Sequence, residues 1–367
     1  MKILEQKQNL DKHLDIVEKA LPGKTTKDIL KNIYFESNGE EISFLATNLE
    51  IGVKSVYEKP VEESGKLLLP PRFIDIIKNL PPGEIEIDLD TENYWVEINT
   101  GNSLFKLAGM PPEEYPSFKE VTPDREPMVF SGSELKQIIK RAIFAVSHDE
   151  SRPAFTGMLF SIKDNKLQIT ASDTYRLVVE EIADKNWEYE EGDFLVPARS
   201  LRELIKLLGD GDEVQVFPYE NQLAFAFNRV FFFTRLIDDK FPEVKGVIPS
   251  ETVAECWVDR EVLEKAIQRA SLLVDNNTQA VQMQLNAEEM GVKVNSSLGS
   301  MEEKIFPQDY QGEELAIYLN VKFLQDIIKV LETERLEMKF SGNEAPCIVR
   351  PENKEGYLYL VLPIKME

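Results

Sequence analysis

Apolar residues recur at intervals of three and four in six stretches of this chain, and they alternate with polar residues in much of what lies between. LDKHLDIVEKAL from Leu10, SELKQIIKRAIFAV from Ser133 and REVLEKAIQRASLL from Arg260 each present one apolar stripe at helical spacing. So do LLLPPRFIDIIKNL, FLVPARSLRELIKLL and LNVKFLQDIIKVL. In the first two of these a strand-like apolar run meets a proline where a helix begins, a position at which the missing N–H has no helical partner to lose. EIEIDLD from Glu84, EVQVF from Glu213 and RLEMKF from Arg335 alternate with period two and predict strands with one covered face.

These stretches repeat in order. Asp75-Ile76-Ile77-Lys78 returns as Glu203-Leu204-Ile205-Lys206 and as Asp326-Ile327-Ile328-Lys329. An amphipathic helix opens each copy, and an alternating strand follows each second helix. Asn48, Asp173 and Ser297 sit in related polar turns, TNLE, SDTY and SSLG, and Phe105-Lys106-Leu107 ahead of Pro116 matches Phe232-Phe233-Thr234 ahead of Pro242. The period predicts three homologous α+β domains, 1–123, 124–250 and 251–367, each of two helices plus antiparallel strands. The boundaries fall in the polar, proline-bearing stretches 121–127 and 247–253. The period is too long for a solenoid, so the copies are separate domains.

A length of 367 residues suits two or three cores, and the hydrophobic content of 43% is enough to fill them. No run approaches the ~20 apolar residues of a membrane helix. The start, MKILEQKQNLDKHL, lacks the apolar centre of a signal peptide. Cys256 and Cys347 have no metal or redox spacing, and a soluble cytoplasmic protein is expected.

Enzymatic chemistry is not visible. His13 and His148 are the only histidines and neither has a triad or metal spacing, so packing or surface roles are simpler. Phosphate-binding, dinucleotide and hydrolase signatures are missing. Gly209-Asp210-Gly211-Asp212 lacks the later ligands of a calcium loop and reads as a hairpin-entry loop. Asp88 and Asp90 put two carboxylates on one strand face, which alternating exposure already explains. No cofactor or metal is expected, nor any catalytic residue.

Charge is unevenly distributed. The formal net charge is −23, yet the six helical segments together carry +6, leaving −29 for the rest of the chain. Helix surfaces accept lysine readily, which is one reading. The other gathers the helices around a polyanion, where phosphate contacts are independent of sequence and an acidic exterior repels DNA from other faces.

The segments LATNLEIGV (45–53), FKLAGMPPEEYP (105–116), RPAFTGMLF (152–160), SDTYRLVV (172–179), RLIDDKFPEVKGVIP (235–249) and LYLVLPIKM (358–366) resemble the bacterial DNA polymerase III beta subunit family, the beta sliding clamps, across essentially the whole chain. The resemblance implies a head-to-tail homodimer closing a six-domain ring, with helices lining a hole that encircles double-stranded DNA without sequence preference. It implies a partner cleft at Arg152, Phe155, Ser172, Thr174, Tyr175, Arg176, Leu177, Pro242, Val247, Asn320, Phe323, Leu360, Leu362, Pro363 and Ile364. Short linear motifs of the replicative polymerase, the clamp loader and repair proteins would bind there. Without the resemblance these apolar residues read more readily as a domain core. Thr174 and Tyr175 stand where the family more often has glycine and histidine, and the chain runs one residue past the usual end, at Glu367.

The same resemblance assigns a dimer seam to Phe105, Leu107, Leu272, Leu273, Glu302 and Glu303, with the basic residues expected opposite the acids poorly matched around Asn102 and Ser103. DNA-facing residues are expected at Lys24, Arg72, Lys136, Lys140, Arg199, Arg202, Lys206, Lys265 and Arg269. Lys24 replaces a common arginine, keeping the charge but not the bidentate fork. Two other classes stay open on the residues alone: an acidic α+β hydrolase using Asp88 and Asp90, and a repeat-built protein adaptor that uses the cleft without DNA.

Overall fold

The computed structural model describes residues 1–116, 127–182, 191–275, 278–352 and 354–365. The expected boundary at 123/124 and the terminal Glu367 lie outside them. Six α-helices are present among the described residues: α1 (Lys7–Glu18), α2 (Pro71–Asn79), α3 (Gly132–Ile143), α4 (Ala198–Leu207), α5 (Arg260–Ser271) and α6 (Val321–Val330). They coincide with the six amphipathic stretches, α1 beginning three residues before Leu10. The order strand, helix, four strands, helix, three strands occurs three times, with one extra strand, Gln308–Gly312, in the third copy.

Local chemistry sets the helix ends. Pro71 occupies the first turn of α2 after the extended Pro70. Asp259 caps α5 by accepting from the Val262 amide at 2.9 Å, and Asn320 caps α6 by accepting from the Lys322 amide at 2.9 Å. Leu10, Leu14 and Val17 of α1 are buried at helical spacing, each fully buried side chain of this kind contributing about 1.5–3 kcal/mol. His13 lies on the same stripe. Its Nδ1 is 2.8 Å from Ser55 Oγ and its ring stacks on Tyr57 at 4.3 Å, so it is a core residue. Burial lowers its pKa to about 4. His148 is exposed.

By density of packing the chain forms two compact units, Met1–Lys136 with Arg199–Leu236, and Gln137–Ala198 with Ile237–Glu367. The middle repeat is therefore divided between them, and strand pairing gives the reason. In the first unit the strands of an eight-stranded sheet run Gly65–Leu69, Ile33–Ser37, Glu41–Thr47, Ile51–Glu58, Val230–Arg235, Gln222–Phe227, Glu213–Pro218, Met128–Ser131. Half belong to the first repeat and half to the second, joined where Ile51–Glu58 pairs with Val230–Arg235.

The second unit repeats the arrangement with nine strands. Gly192–Pro197, Gly157–Lys163, Lys166–Ser172 and Arg176–Ile182 meet Tyr357–Val361, Cys347–Pro351, Arg335–Phe340, Ala254–Asp259 and Gln308–Gly312. Each unit also holds a four-stranded half-sheet. In the first unit its order is Lys2–Gln6, Glu84–Asp90, Trp95–Asn99, Leu104–Ala108; in the second it is Gly299–Ile305, Met290–Ser296, Ala280–Leu285, Leu315–Asn320. All recorded ladders are antiparallel.

Asp88 and Asp90 lie at the end of strand Glu84–Asp90. The chain's terminal ammonium sits 3.6 Å from Asp88, and Asp90 accepts from the Asn93 amide, which holds its carboxyl below the usual range. The Gly209–Asp212 stretch connects α4 to strand Glu213–Pro218 and so leads into the hairpin that this strand forms with Gln222–Phe227. Asp212 accepts from the Gly209 amide at 2.7 Å, and a Cβ at Gly132 would meet the Gly209 carbonyl oxygen at 1.9 Å. Gly132 is thus fixed by close backbone approach.

Candidate partner cleft, basic helices and open edges

The cleft residues gather in the second unit, around the ladder in which Arg176 faces Val361 and Leu177 faces Leu360. The tight turn before strand Arg176–Ile182 is held by its own side chains. Ser172 Oγ donates to the Arg176 carbonyl at 2.8 Å and accepts from the Thr174 amide at 3.1 Å, while Asp173 accepts from the amides of Tyr175 and Arg176. Thr174 adopts φ +79°, the left-handed region that glycine occupies without strain. The glycine expected there from the resemblance would take this conformation without strain.

Beyond the strand the chain stays attached. The Leu362 amide donates to the Tyr175 carbonyl at 2.9 Å and the Ile364 amide to the Tyr318 carbonyl at 2.8 Å. Pro363 and Ile364 are consequently held, half-buried, against the second unit.

Two apolar clusters form the floor. Leu177, Ile348, Leu358 and Leu360 pack with Val179, Val244 and Ile248; Ala154, Leu195 and Phe241 pack with Phe155, Leu159, Ile237 and Val244. Val244 belongs to both clusters. Around them Tyr175 is 61% exposed and Val247 54%, and Leu362 and Pro242 also reach solvent. Arg152 lies 5.7 Å from the Phe155 ring and pairs with Asp149 at 3.0 Å. A buried apolar floor with aromatic and aliphatic side chains standing free above it is the form of a site for short hydrophobic anchors.

Arg176, Asn320 and Phe323 act beneath that surface. The Arg176 guanidinium is nine-tenths buried and donates to Asp173 at 2.9 Å, to Asp326 at 2.6 Å and to the Phe144 carbonyl, and it stacks over the Phe323 ring at 4.3 Å. Asn320 caps α6, and Tyr359 Oη donates to the Phe323 carbonyl at 3.0 Å. Phe144, Asp326, Val244, Ile248, Ile348 and Leu358 were not expected from the sequence. CIVRP and YLYLV are nearly continuous apolar runs, the signal of strands covered on both faces, and that signal extended to Ile348 and Leu358; Asp326 had none, because its partner is 150 residues away.

The basic set divides. Lys136 pairs with Asp210 at 2.8 Å, Lys206 with Glu203 at 2.8 Å and Lys265 with Glu261 at 3.8 Å; Arg269 pairs with Glu303, and Arg199 reaches Glu50 only at 3.9 Å. Lys24, Arg72 and Lys140 are exposed, and among the described residues they form no ion pair. Arg202, half-buried on α4, has its pKa lowered by desolvation with no compensating acid. A partly dehydrated cation of this kind gains more from an incoming phosphate than a solvated one.

Phe105 and Leu107 are half-buried on strand Leu104–Ala108, an edge of the first unit's half-sheet opposite the edge strand Lys2–Gln6. Leu272 is 75% exposed just after α5, and Leu273 is half-buried. Glu302 and Glu303 lie on strand Gly299–Ile305, an edge of the other half-sheet opposite the edge strand Leu315–Asn320. Both acids already have partners within the chain, Glu302 with Lys293 at 2.8 Å and Glu303 with Arg269. No group of three or more His, Cys, Asp or Glu suited to a metal occurs among the described residues.

Three family models cover nearly the whole chain. Residues 1–119 match the N-terminal domain of the DNA polymerase III beta subunit, 130–243 its central domain and 245–365 its C-terminal domain. The chain is 31% identical to the beta sliding clamp of Bacillus subtilis over 378 residues, covering all of both chains. It is also 31% identical to that of Staphylococcus epidermidis, over 95% of this chain and 94% of the relative. The crystal structure of the DNA polymerase sliding clamp from Bacillus subtilis superposes with a TM-score of 0.95 at 30% identity, and a DNA polymerase III beta subunit structure from Eubacterium rectale with 0.93 at 27%, each over the full length of both chains. With its repeated strand and helix order and its shared sheets, the chain belongs to the DNA polymerase III beta subunit family, the bacterial beta sliding clamps.

Proposed function

We propose that the protein is a DNA sliding clamp, a processivity factor that encircles double-stranded DNA and tethers the replicative polymerase through the cleft around Leu177, Val247 and Leu362. Clamp loader and repair proteins would use the same cleft through short linear motifs. The protein has a binding function and no catalytic site of its own. Among the described residues no helix is long and apolar enough to cross a membrane, and the cytoplasm is the compartment in which this role is exercised. The domains run 1–123, 124–250 and 251–367.

The open half-sheets carry the reading. Strands Ile51–Glu58, Arg176–Ile182 and Gly299–Ile305 occupy the same place in the three repeats, as do Val230–Arg235, Tyr357–Val361 and Leu104–Ala108. The first two members of each set pair inside the chain, over five residues in both cases. Gly299–Ile305 and Leu104–Ala108 are the two left over, and a second copy supplies what each lacks. An unpaired edge is a template for another strand, and joining unlike edges makes a head-to-tail contact that closes into a ring.

Matching Glu303, bound by Arg269 of α5, with Glu180, bound by Arg141 of α3, sets the register across the seam. Met301 then faces Phe105 of the second copy, and Glu303 faces Ser103. Because Glu302 and Glu303 are neutralised within their own chain, this seam depends on backbone ladder and apolar contact more than on ion pairs.

Retention by linkage, without tight contact, is compatible with a basic set in which several cations are already engaged by acids. The test is to load the protein with its clamp loader and ATP onto nicked circular DNA and follow retention before and after linearisation. Retention on the circle with loss from free ends is expected; equal retention on both would overturn topological linkage.

A further inference from the structure

The register that aligns the two long sheets also aligns their outer faces. In the ladders Ile51–Thr234 through Ser55–Val230 and Arg176–Val361 through Glu180–Tyr357, Phe233 occupies the place of Leu360 and Phe231 that of Leu358. One ladder further, Ala224 occupies the place of Ile348. The cleft floor in the second unit therefore has a counterpart in the first: Phe217, Ala224 and Phe233 packed with Tyr219, Ala226 and Phe231. Both floors are buried apolar clusters on the outer face of a junction between repeats. Beside the second lies a recess of about 450 Å³, within the range of ligand sites, whose walls include Glu36, Ser43, Lys54, Val56, Arg229 and Phe231.

We propose that this recess is a second docking site, for a short peptide segment carrying one apolar anchor and one basic residue. Phe231 and Val56, both half-buried, give the anchor an apolar wall, and the small Ser43 between Glu36 and Val56 in the ladder leaves it room. Charge selects the rest. Arg229 is engaged by Glu41 and by Glu58, which leaves Glu36 as the wall carboxylate without an ion pair among the described residues. It is the acceptor for an incoming lysine or arginine. Lys54, opposite Phe231 in the ladder, is a donor for the peptide backbone carbonyls. The cleft floor has Val179 where this recess has Lys54, so the two sites would not share ligands.

The test uses the full-length protein with methyl-labelled valine and leucine, titrated with the blocked tripeptides Ac-Leu-Lys-Phe-NH2 and Ac-Leu-Glu-Phe-NH2. The expected result is a saturable shift of the Val56 methyls with the lysine peptide, at least about fivefold weaker with the glutamate peptide, and a preference that Glu36→Gln abolishes. Shifts confined to Leu177, Leu358 and Leu360 would place the peptide in the cleft alone and overturn the proposal. So would no response at Val56 up to the solubility limit, equal response to both peptides, or an unchanged preference in Glu36→Gln.

Discussion

Glu180 offers the sharpest quantitative prediction, because a buried acid there holds two cations from different repeats. Its side chain is 1% exposed; Arg141 donates to it from Nε at 3.1 Å as well as from Nη2, and Lys354 donates at 2.6 Å. Glu180→Gln keeps the shape and removes the charge, leaving Arg141, itself 14% exposed, as an uncompensated buried cation. Breaking one side of such a pair costs about 3–5 kcal/mol. Lys354 is a third exposed and adds at most about 1 kcal/mol after screening. At roughly 2–4 °C per kcal/mol for a folding unit of this size, a cost of about 4 kcal/mol lowers the melting temperature by roughly 8–16 °C. Calorimetry of the variant measures this, with Asp28→Asn, which breaks the exposed Asp28–Lys31 pair, as a control expected to shift by less than about 1 °C. The double variant Glu180→Leu with Arg141→Met should recover most of the loss, since a buried pair replaced by apolar groups is near neutral. A drop of under about 2 °C in Glu180→Gln, or no recovery in the double variant, would refute the account.

Three further outcomes are expected. Thr174→Gly relieves a left-handed backbone worth about 1–2 kcal/mol and gives back about 0.5–1 kcal/mol in chain entropy, so a net gain of about 0.5–1 kcal/mol in unfolding free energy is expected from denaturant titration; a loss would contradict it. His13 has a folded pKa of about 4 against an unfolded 6.5, so the unfolded chain binds the extra proton. Stability is then complete above pH 6.5 and falls on the order of 2 kcal/mol toward pH 4. Urea titrations should find that slope reduced in His13→Gln, and an unchanged slope would remove His13 as its source. Leu272→Ala with Leu273→Ala should weaken the dimer at low micromolar concentration, while Phe105→Cys with Met301→Cys should cross-link it under oxidation; an unchanged sedimentation profile or no cross-link would count against the seam and its register respectively.

The helices and the threefold repeat were legible because their signals are local: apolar spacing, a proline before Arg72, and a turn residue at Asn48 or Asp173. The sharing of sheets was not, since Ser55 and Val230 pair across roughly 175 residues and an edge strand looks the same whichever strand it joins. The cleft's outline came from resemblance, yet Arg176 could not be recognised from it as a buried bolt on Asp326. For the basic helices, net charge counted correctly but hid the pairing. Lys206 with Glu203 is visible at helical spacing, whereas Lys136 with Asp210 depends on the loop that follows α4.

The division of the middle repeat has a consequence for synthesis. Strand Ile51–Glu58 is complete early on the ribosome, but its neighbour Val230–Arg235 emerges roughly 175 residues later, which at about 5–20 residues per second means a delay of roughly 9–35 seconds. Through that interval the first unit holds half of an eight-stranded sheet with a bare, apolar edge. Nascent chains of this protein are thus exposed to wrong strand partners, including the same edge on a neighbouring ribosome, for nearly half of their elongation. Slow stretches of translation placed after Arg235 would let the first unit close before the second begins to compete for it.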